Sequence, residues 1–162
     1  MMIHETVIMR KNESINSSMT SSVVLVTGGF DPLHSGHIKF FKNAKELGSK
    51  LCVGLNSDAW LTRKKGKPFM PIEERIAIIK ELRMVDVAIE FIDRDDSAND
   101  AIGMALQIYD EIIFANGGDR HNENTPEYDK YKNDDRVTFA WGVGGVGKRN
   151  SSSWILKAWD ER

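Results

Sequence analysis

Two histidines three residues apart, His34 and His37, close the segment Thr27-Gly28-Gly29-Phe30-Asp31-Pro32-Leu33-His34-Ser35-Gly36-His37. The glycine pair lets backbone N–H groups come close to a ligand. A helix opening after Ser35 would turn unpaired N–H groups and the positive end of its dipole toward an anion. The spacing puts both imidazoles on one side of the first helical turn, where each can donate a hydrogen bond to a phosphate oxygen. A plain surface pair and two ligands of a zinc site are the competing uses, and zinc needs a third ligand nearby. The strand-to-helix context after a glycine turn favours phosphate.

Other residues fit the same chemistry. Lys64-Lys65-Gly66-Lys67, followed by Pro68, is a short basic cluster of the kind that is usually a solvated loop. Several phosphate charges change that weighing, because mobile ammonium groups can close over them. Lys39, two residues past His37, could reach the same phosphates or stay on the surface. Arg75 falls in the first turn of a helix, where a cation opposes the dipole and another partner is expected. Gly117-Gly118-Asp119 suits a plain turn, yet its strand-end position also suits a nucleotide contact. Asp58, after Asn56 and Ser57, is placed to N-cap the helix that follows. Ser151-Ser152-Ser153 brings hydroxyls and N–H groups to another helix start. Gly142, Gly144 and Gly147 spell a dinucleotide-binding pattern but lack the acidic residue about 20 positions on. Gly142 to Lys148 spells a P-loop pattern but has Arg149 where Ser or Thr is required.

The elements that must position these residues follow from periodicity. Short apolar runs at Val23 to Thr27, Lys50 to Leu55, Val87 to Ile92, Glu111 to Ala115 and Val137 to Trp141 read as strands covered on both faces. Between them, helical spacing predicts helices at Gly36 to Leu47, Ile72 to Leu82, Ala98 to Tyr109 and Ser151 to Trp159, with Gly48 closing the first. The alternation predicts an α/β fold: one Rossmann-like, doubly wound, five-stranded parallel sheet, with ligands at the carboxyl ends of its strands. Residues 1–22 are polar and serine-rich and are expected to form a flexible extension, leaving 23–162 as the domain. Trp154 and Trp159 are expected in the core or on a dimer surface.

A chain of 162 residues, 41% hydrophobic and 28% charged, suits one soluble domain. The net charge of -2 gives no bulk attraction to nucleic acid, so an anion site must be built locally. Cys52, the one cysteine, lies in an apolar run and reads as a buried small hydrophobe. No apolar run approaches the ~18 residues of a membrane span, so neither a membrane nor nucleic acid is an expected partner, and the cytoplasm is the default location.

His34-Ser35-Gly36-His37 after Gly29-Phe30-Asp31 resembles the signature of the cytidylyltransferase-like nucleotidyltransferase family. Asn56-Ser57-Asp58, Lys64 to Arg75, Gly117-Gly118-Asp119 and Ser151 to Ser153 fall in order where that family has motifs. The resemblance covers about 23 to 159 and is strongest to the glycerol-3-phosphate cytidylyltransferase and bacterial heptose-phosphate adenylyltransferase branches. It implies transfer of AMP or CMP from ATP or CTP to a sugar or polyol phosphate, with release of pyrophosphate. It also implies magnesium bound mainly through the triphosphate, and a homodimer. By the same resemblance His34, His37, Lys64 and Lys67 are catalytic. Gly29, Phe30, Asp31, Gly117, Gly118, Asp119, Ser152 and Ser153 hold the nucleotide, and Lys39 and Arg75 contact substrate or phosphate. Gly36-His37-Ile38-Lys39 is closer to the CTP-using branch, whereas Asp31-Pro32-Leu33-His34 and Gly117-Gly118-Asp119 lean to ATP. ATP is the expected donor, although both bases present an exocyclic amine and a ring-nitrogen acceptor. A nucleotide-binding sensor without turnover and a nicotinamide-dependent oxidoreductase are the alternatives.

Overall fold

In a computed structural model, which describes residues 21–118, 124–145 and 151–161, the chain alternates strands and helices. The order is β1 (Ser22–Gly28), α1 (Ser35–Lys45), β2 (Leu51–Leu55), α2 (Asp58–Lys65), α3 (Ile72–Ile79), β3 (Val87–Glu90), α4 (Asn99–Leu106), β4 (Glu111–Gly117), α5 (Pro126–Tyr131), β5 (Val137–Val143) and α6 (Ser152–Asp160). All five expected strands are present. The four expected helices are joined by α2, anticipated only through its capping position, and by α5, too short for its spacing to register. Of the expected extension, residues 1–20 lie outside the described residues. Ser21 and Ser22 belong to the domain: Ser22 opens β1, and Ser21 N and Oγ donate to Asp110 Oδ2 at 2.9 and 3.2 Å.

The strands form one parallel sheet in the order β3-β2-β1-β4-β5. Chain order therefore reverses between β1 and β4, which opens a crevice at their carboxyl ends. Val23 to Val26 are all buried, as a central strand covered on both faces requires. On one face Val24, Val26, Val53 and Ala115 pack against Phe41 and Ala44 of α1 and Ile72 and Ile79 of α3. On the other, Val23, Leu25, Ile112 and Phe114 pack against Ala101, Ile102 and Ala105 of α4. Cys52 is buried in this second layer, where burial pushes its thiol up to about 12, the inert behaviour expected of it.

Two expectations are corrected by packing, and a third is narrowed. Gly48 does not cap α1 in a left-handed conformation, since Glu46 is the C-cap. Its small size serves a close approach instead, because a Cβ there would lie 2.9 Å from Val24 Cγ2. Asp58 does not cap α2: Ser57 does, with Oγ accepting from Trp60 N at 3.0 Å, which leaves Asp58 in the first turn. Trp154 and Trp159 are 54% and 63% exposed on α6, a helix with no buried residue, so neither is in the core. Among the described residues no helix is long and apolar enough to cross a membrane.

Phe41, fully buried, meets Phe30 edge to face at 5.0 Å and so connects the core to the turn after β1. Phe41→Ala is expected to lower unfolding free energy by about 3–5 kcal/mol. Urea denaturation followed by circular dichroism checks it.

Candidate active site

The turn leaving β1 is shaped by its own side chains. Phe30 has φ 52 and folds its ring back over the end of the strand, so that a Cβ on Gly28 would lie 2.8 Å from Phe30 Cζ. Only glycine fits there. A Cβ on Gly29 would lie 2.9 Å from Leu61 Cδ2, which seats the turn on α2. Asp31 is buried, and its carboxylate accepts from Phe69 N at 2.6 Å and Met70 N at 2.8 Å. Asp31 thus draws the loop after α2 against the β1 turn, and both of its oxygens bond within the protein.

His34 and His37 together close the first turn of α1. His34 is the N-cap, its Nδ1 accepting from Gly36 N at 3.0 Å, while His34 N donates to His37 Nδ1 at 3.2 Å. This is the reciprocal pattern of a capping box, with imidazoles in place of the usual hydroxyl and carboxylate. An Nδ1 that accepts cannot carry a proton, so each neutral ring carries its proton on Nε2. The rings stack with centroids 3.8 Å apart, and Phe30 meets His37 edge-on at 5.1 Å. Burial, then the charge interactions with His34 and Lys65, lower the pKa of His37 to about 3. His37 is therefore a neutral N–H donor at ordinary pH.

The lysines divide by helical geometry. Lys64 sits four residues after Trp60, and its Nζ lies over that ring, 5.5 Å from the centroid. Lys65 sits four residues after buried Leu61, and though the residue is exposed its Nζ reaches the β1 turn and donates to Asp31 O at 2.8 Å. Lys65 was not among the expected residues. Helical spacing from Leu61 would have found it had α2 been assigned. Gly66 ends α2 at φ 93, and Lys67 follows in the loop. A cavity of about 610 Å³ is lined by Lys65, Lys67, Phe69, Ser153, Lys157 and Trp159, among others. Lys39 is exposed on α1 beside Lys42 and Asn43 in a separate depression.

The start of α6 reaches the same turn. Ser151 caps it, and Ser152 Oγ donates to Pro32 O at 2.9 Å. The N-termini of α1 and α6 therefore meet around residues 32–35, where the positive ends of two helix dipoles favour an anion. Ser153 Oγ lies 3.2 Å from Ser151 Oγ and faces the lysine-lined cavity. Gly117 ends β4 close to α1, where a Cβ would lie 2.9 Å from Phe40 Cε1, and Gly118 turns away at φ 62. Asp119 and residues 146–150 lie outside the described residues. The glycine run starting at Gly142 leaves β5 at the sheet edge, far in topology from the first βα turn that a dinucleotide fold uses.

Arg75 lies beneath the site. Its side chain is fully buried, with Nη1 donating to Asn56 O at 2.7 Å and Gly29 O at 3.0 Å, Nε to Met70 O at 2.9 Å, and Nη2 to Asp58 Oδ1 at 2.7 Å. Asp58 is the partner that its first-turn cation needed. These bonds make Arg75 the framework under the turn. The donors gathered above are ammonium, hydroxyl and N–H groups, which suit an anion. No group of three His, Cys, Asp or Glu side chains that could hold a metal ion occurs among the described residues.

Comparisons with known proteins agree with this geometry. The model of the cytidylyltransferase-like family matches residues 25–132. The chain is similar to the bifunctional protein HldE of Proteus mirabilis, 36% identical over 104 residues that make up 63% of this chain and 21% of that protein. HldE of Blochmanniella pennsylvanica is 32% identical over 70% of this chain and 23% of its own length. The chain thus matches under a quarter of the length of these relatives. A lipopolysaccharide core biosynthesis protein from Thermoplasma volcanium superposes with a TM-score of 0.59 at 27% identity, covering 80% of this chain and 99% of that one.

Two outcomes follow from these contacts. A group whose folded pKa is depressed stabilises fully above its unfolded value, so stability is expected to fall as pH drops from about 6.5 toward about 3. His37 ring resonances that titrate near pH 6.5 in a proton NMR series would contradict this. Arg75→Ala strips donors from three carbonyls and one carboxylate and is expected to cost about 3–5 kcal/mol in urea denaturation.

Proposed function

The chain belongs to the cytidylyltransferase-like family, and we propose that it transfers AMP, in preference to CMP, from the triphosphate to a sugar or polyol phosphate with release of pyrophosphate. One arrangement carries the proposal. At the reversal between β1 and β4, the N-termini of α1 and α6 meet beside a neutral His37 and the Lys65 ammonium. That is a built site for several phosphate charges.

A phosphate oxygen of the acceptor attacks the α-phosphorus in line. The new P–O bond forms as the bond to the α,β-bridging oxygen breaks, and the electron pair leaves with pyrophosphate. His37 donates its Nε2–H to the α-phosphate, and His34 flanks it. Being neutral, His37 supplies a directed dipole without giving up a proton. Lys64, Lys65 and Lys67 gather the phosphates from the α2 side, and Ser152, Ser153 and the N–H groups of α6 receive the far end. Magnesium, bound through the triphosphate, would neutralise part of its charge. Catalysis is then positioning and charge stabilisation, with no covalent enzyme intermediate.

The test is pyrophosphate release, with ATP and CTP compared at equal concentration against a panel of sugar and polyol phosphates. Release with ATP exceeding that with CTP is expected, and no release with any pair would overturn the proposal. Asn at position 37 keeps an acceptor near Nδ1 but loses the Nε2 donor. His37→Asn is therefore expected to lower turnover on the order of a hundredfold while the melting temperature stays close to wild type. From the family resemblance we also infer a homodimer, which sedimentation equilibrium tests.

A further inference from the structure

In-line transfer puts the attacking oxygen and the leaving pyrophosphate on opposite sides of the α-phosphorus. In the arrangement proposed above, the pyrophosphate side is that of Lys65, Lys67 and Ser153. These stand with the loop that Asp31 holds and that leads into α3 on the first face of the sheet. The acceptor then belongs toward the second face, at the carboxyl ends of the strands, where α4 begins.

That place holds two buried polar atoms without partners. Residues of β4 alternate between faces. Ala115 packs in the first layer and Gly117 abuts Phe40, whereas Ile112 and Phe114 pack in the second, so Asn116 belongs to the second face. It is 5% exposed, and its Nδ2 has no hydrogen-bond partner. Asn99 opens α4 on the same face, and its buried Oδ1 has none either. Other polar groups of the loops at the carboxyl ends of the strands are satisfied. Ser97 Oγ accepts from Asn99 N at 3.2 Å and donates to Asp95 at 2.9 Å, and Thr125 Oγ accepts from Tyr128 N at 3.2 Å. Asp93 accepts from Asn56 Nδ2 and from Ser57 N and Oγ.

A buried unpaired donor or acceptor is costly, and native proteins keep few without a reason. One unpaired donor and one unpaired acceptor at the carboxyl end of this face suit a ligand rich in hydroxyl groups, which can accept from an amide N–H and donate to an amide oxygen. We propose that Asn116 and Asn99 bind the hydroxyl-bearing body of the phosphorylated acceptor, whose phosphate reaches back across the β1–β4 reversal to His37. This assignment rests on the nucleotidyl-transfer proposal and names the acceptor side of that site. Neither asparagine belongs to the phosphate-gathering set, so their loss acts on acceptor binding and leaves triphosphate binding intact.

Asn116→Leu removes the amide, and Asn116→Asp keeps its shape while removing the donor. With ATP saturating and glycerol 3-phosphate or a hexose 1-phosphate varied, each variant is expected to raise the acceptor KM about tenfold, the loss of one buried hydrogen bond. The KM for ATP should stay within about twofold of wild type, on the same bookkeeping for an untouched contact. An unchanged acceptor KM would overturn the assignment, and is the result if the amide only holds an ordered water. Isothermal titration of the same phosphates, with a non-hydrolysable ATP analogue bound, separates this from the proposed reaction. Wild type that releases no pyrophosphate sinks the reaction. Weaker phosphate binding by the Asn116 variants still supports the assignment, and equal or absent binding overturns it.

Discussion

The carboxyl-end surface of the sheet depends on the guanidinium of Arg75. It is withdrawn from water and donates to the exits of β1 and β2 through Gly29 and Asn56, to Met70 ahead of α3, and to Asp58 at the start of α2. A planar fork with five N–H donors can meet four such partners at once, whereas an ammonium cannot hold the same directions. Removing the cation would leave carbonyls facing an empty space and a carboxylate without its partner. Because all four segments meet on one rigid side chain, the turn carrying His34 and the helix carrying Lys65 keep a defined separation. Asp31 ties the same turn to Phe69 and Met70 from the other side.

On this base the histidine pair serves folding and chemistry through different nitrogens. Each Nδ1 is used to close the first turn of α1, and that use determines which nitrogen keeps the proton. Stability of the helix start and presentation of a donor are therefore one constraint. Burial that depresses the His37 pKa also keeps that ring from adding a charge beside Lys65. The serine start of α6 completes this ring by bonding to Pro32.

Much of this was legible from residue order. The five strands and their parallel arrangement follow from apolar runs alternating with helical spacing, and the phosphate character of the β1 turn follows from two glycines and two histidines at fixed offsets. Element ends were less legible. Gly48 looks like a helix stop but is small because Val24 packs against it, and Asp58 looks like a cap but is claimed by Arg75. In both cases a local preference worth a few tenths to about 1 kcal/mol gives way to a tertiary contact.

By itself, then, the sequence determined the fold class and the location of the phosphate turn with its histidines and lysines, because periodicity and glycine placement act over a few neighbouring residues. Only the tertiary structure decided which lysine reaches the β1 turn, that Arg75 supports the site from below, and that Asn99 and Asn116 stand without partners. Those outcomes depend on which atoms meet across the sheet: Lys65 and Lys64 differ by one helical position of about 100°, and which of the two faces Asp31 could be read only once α2 was placed.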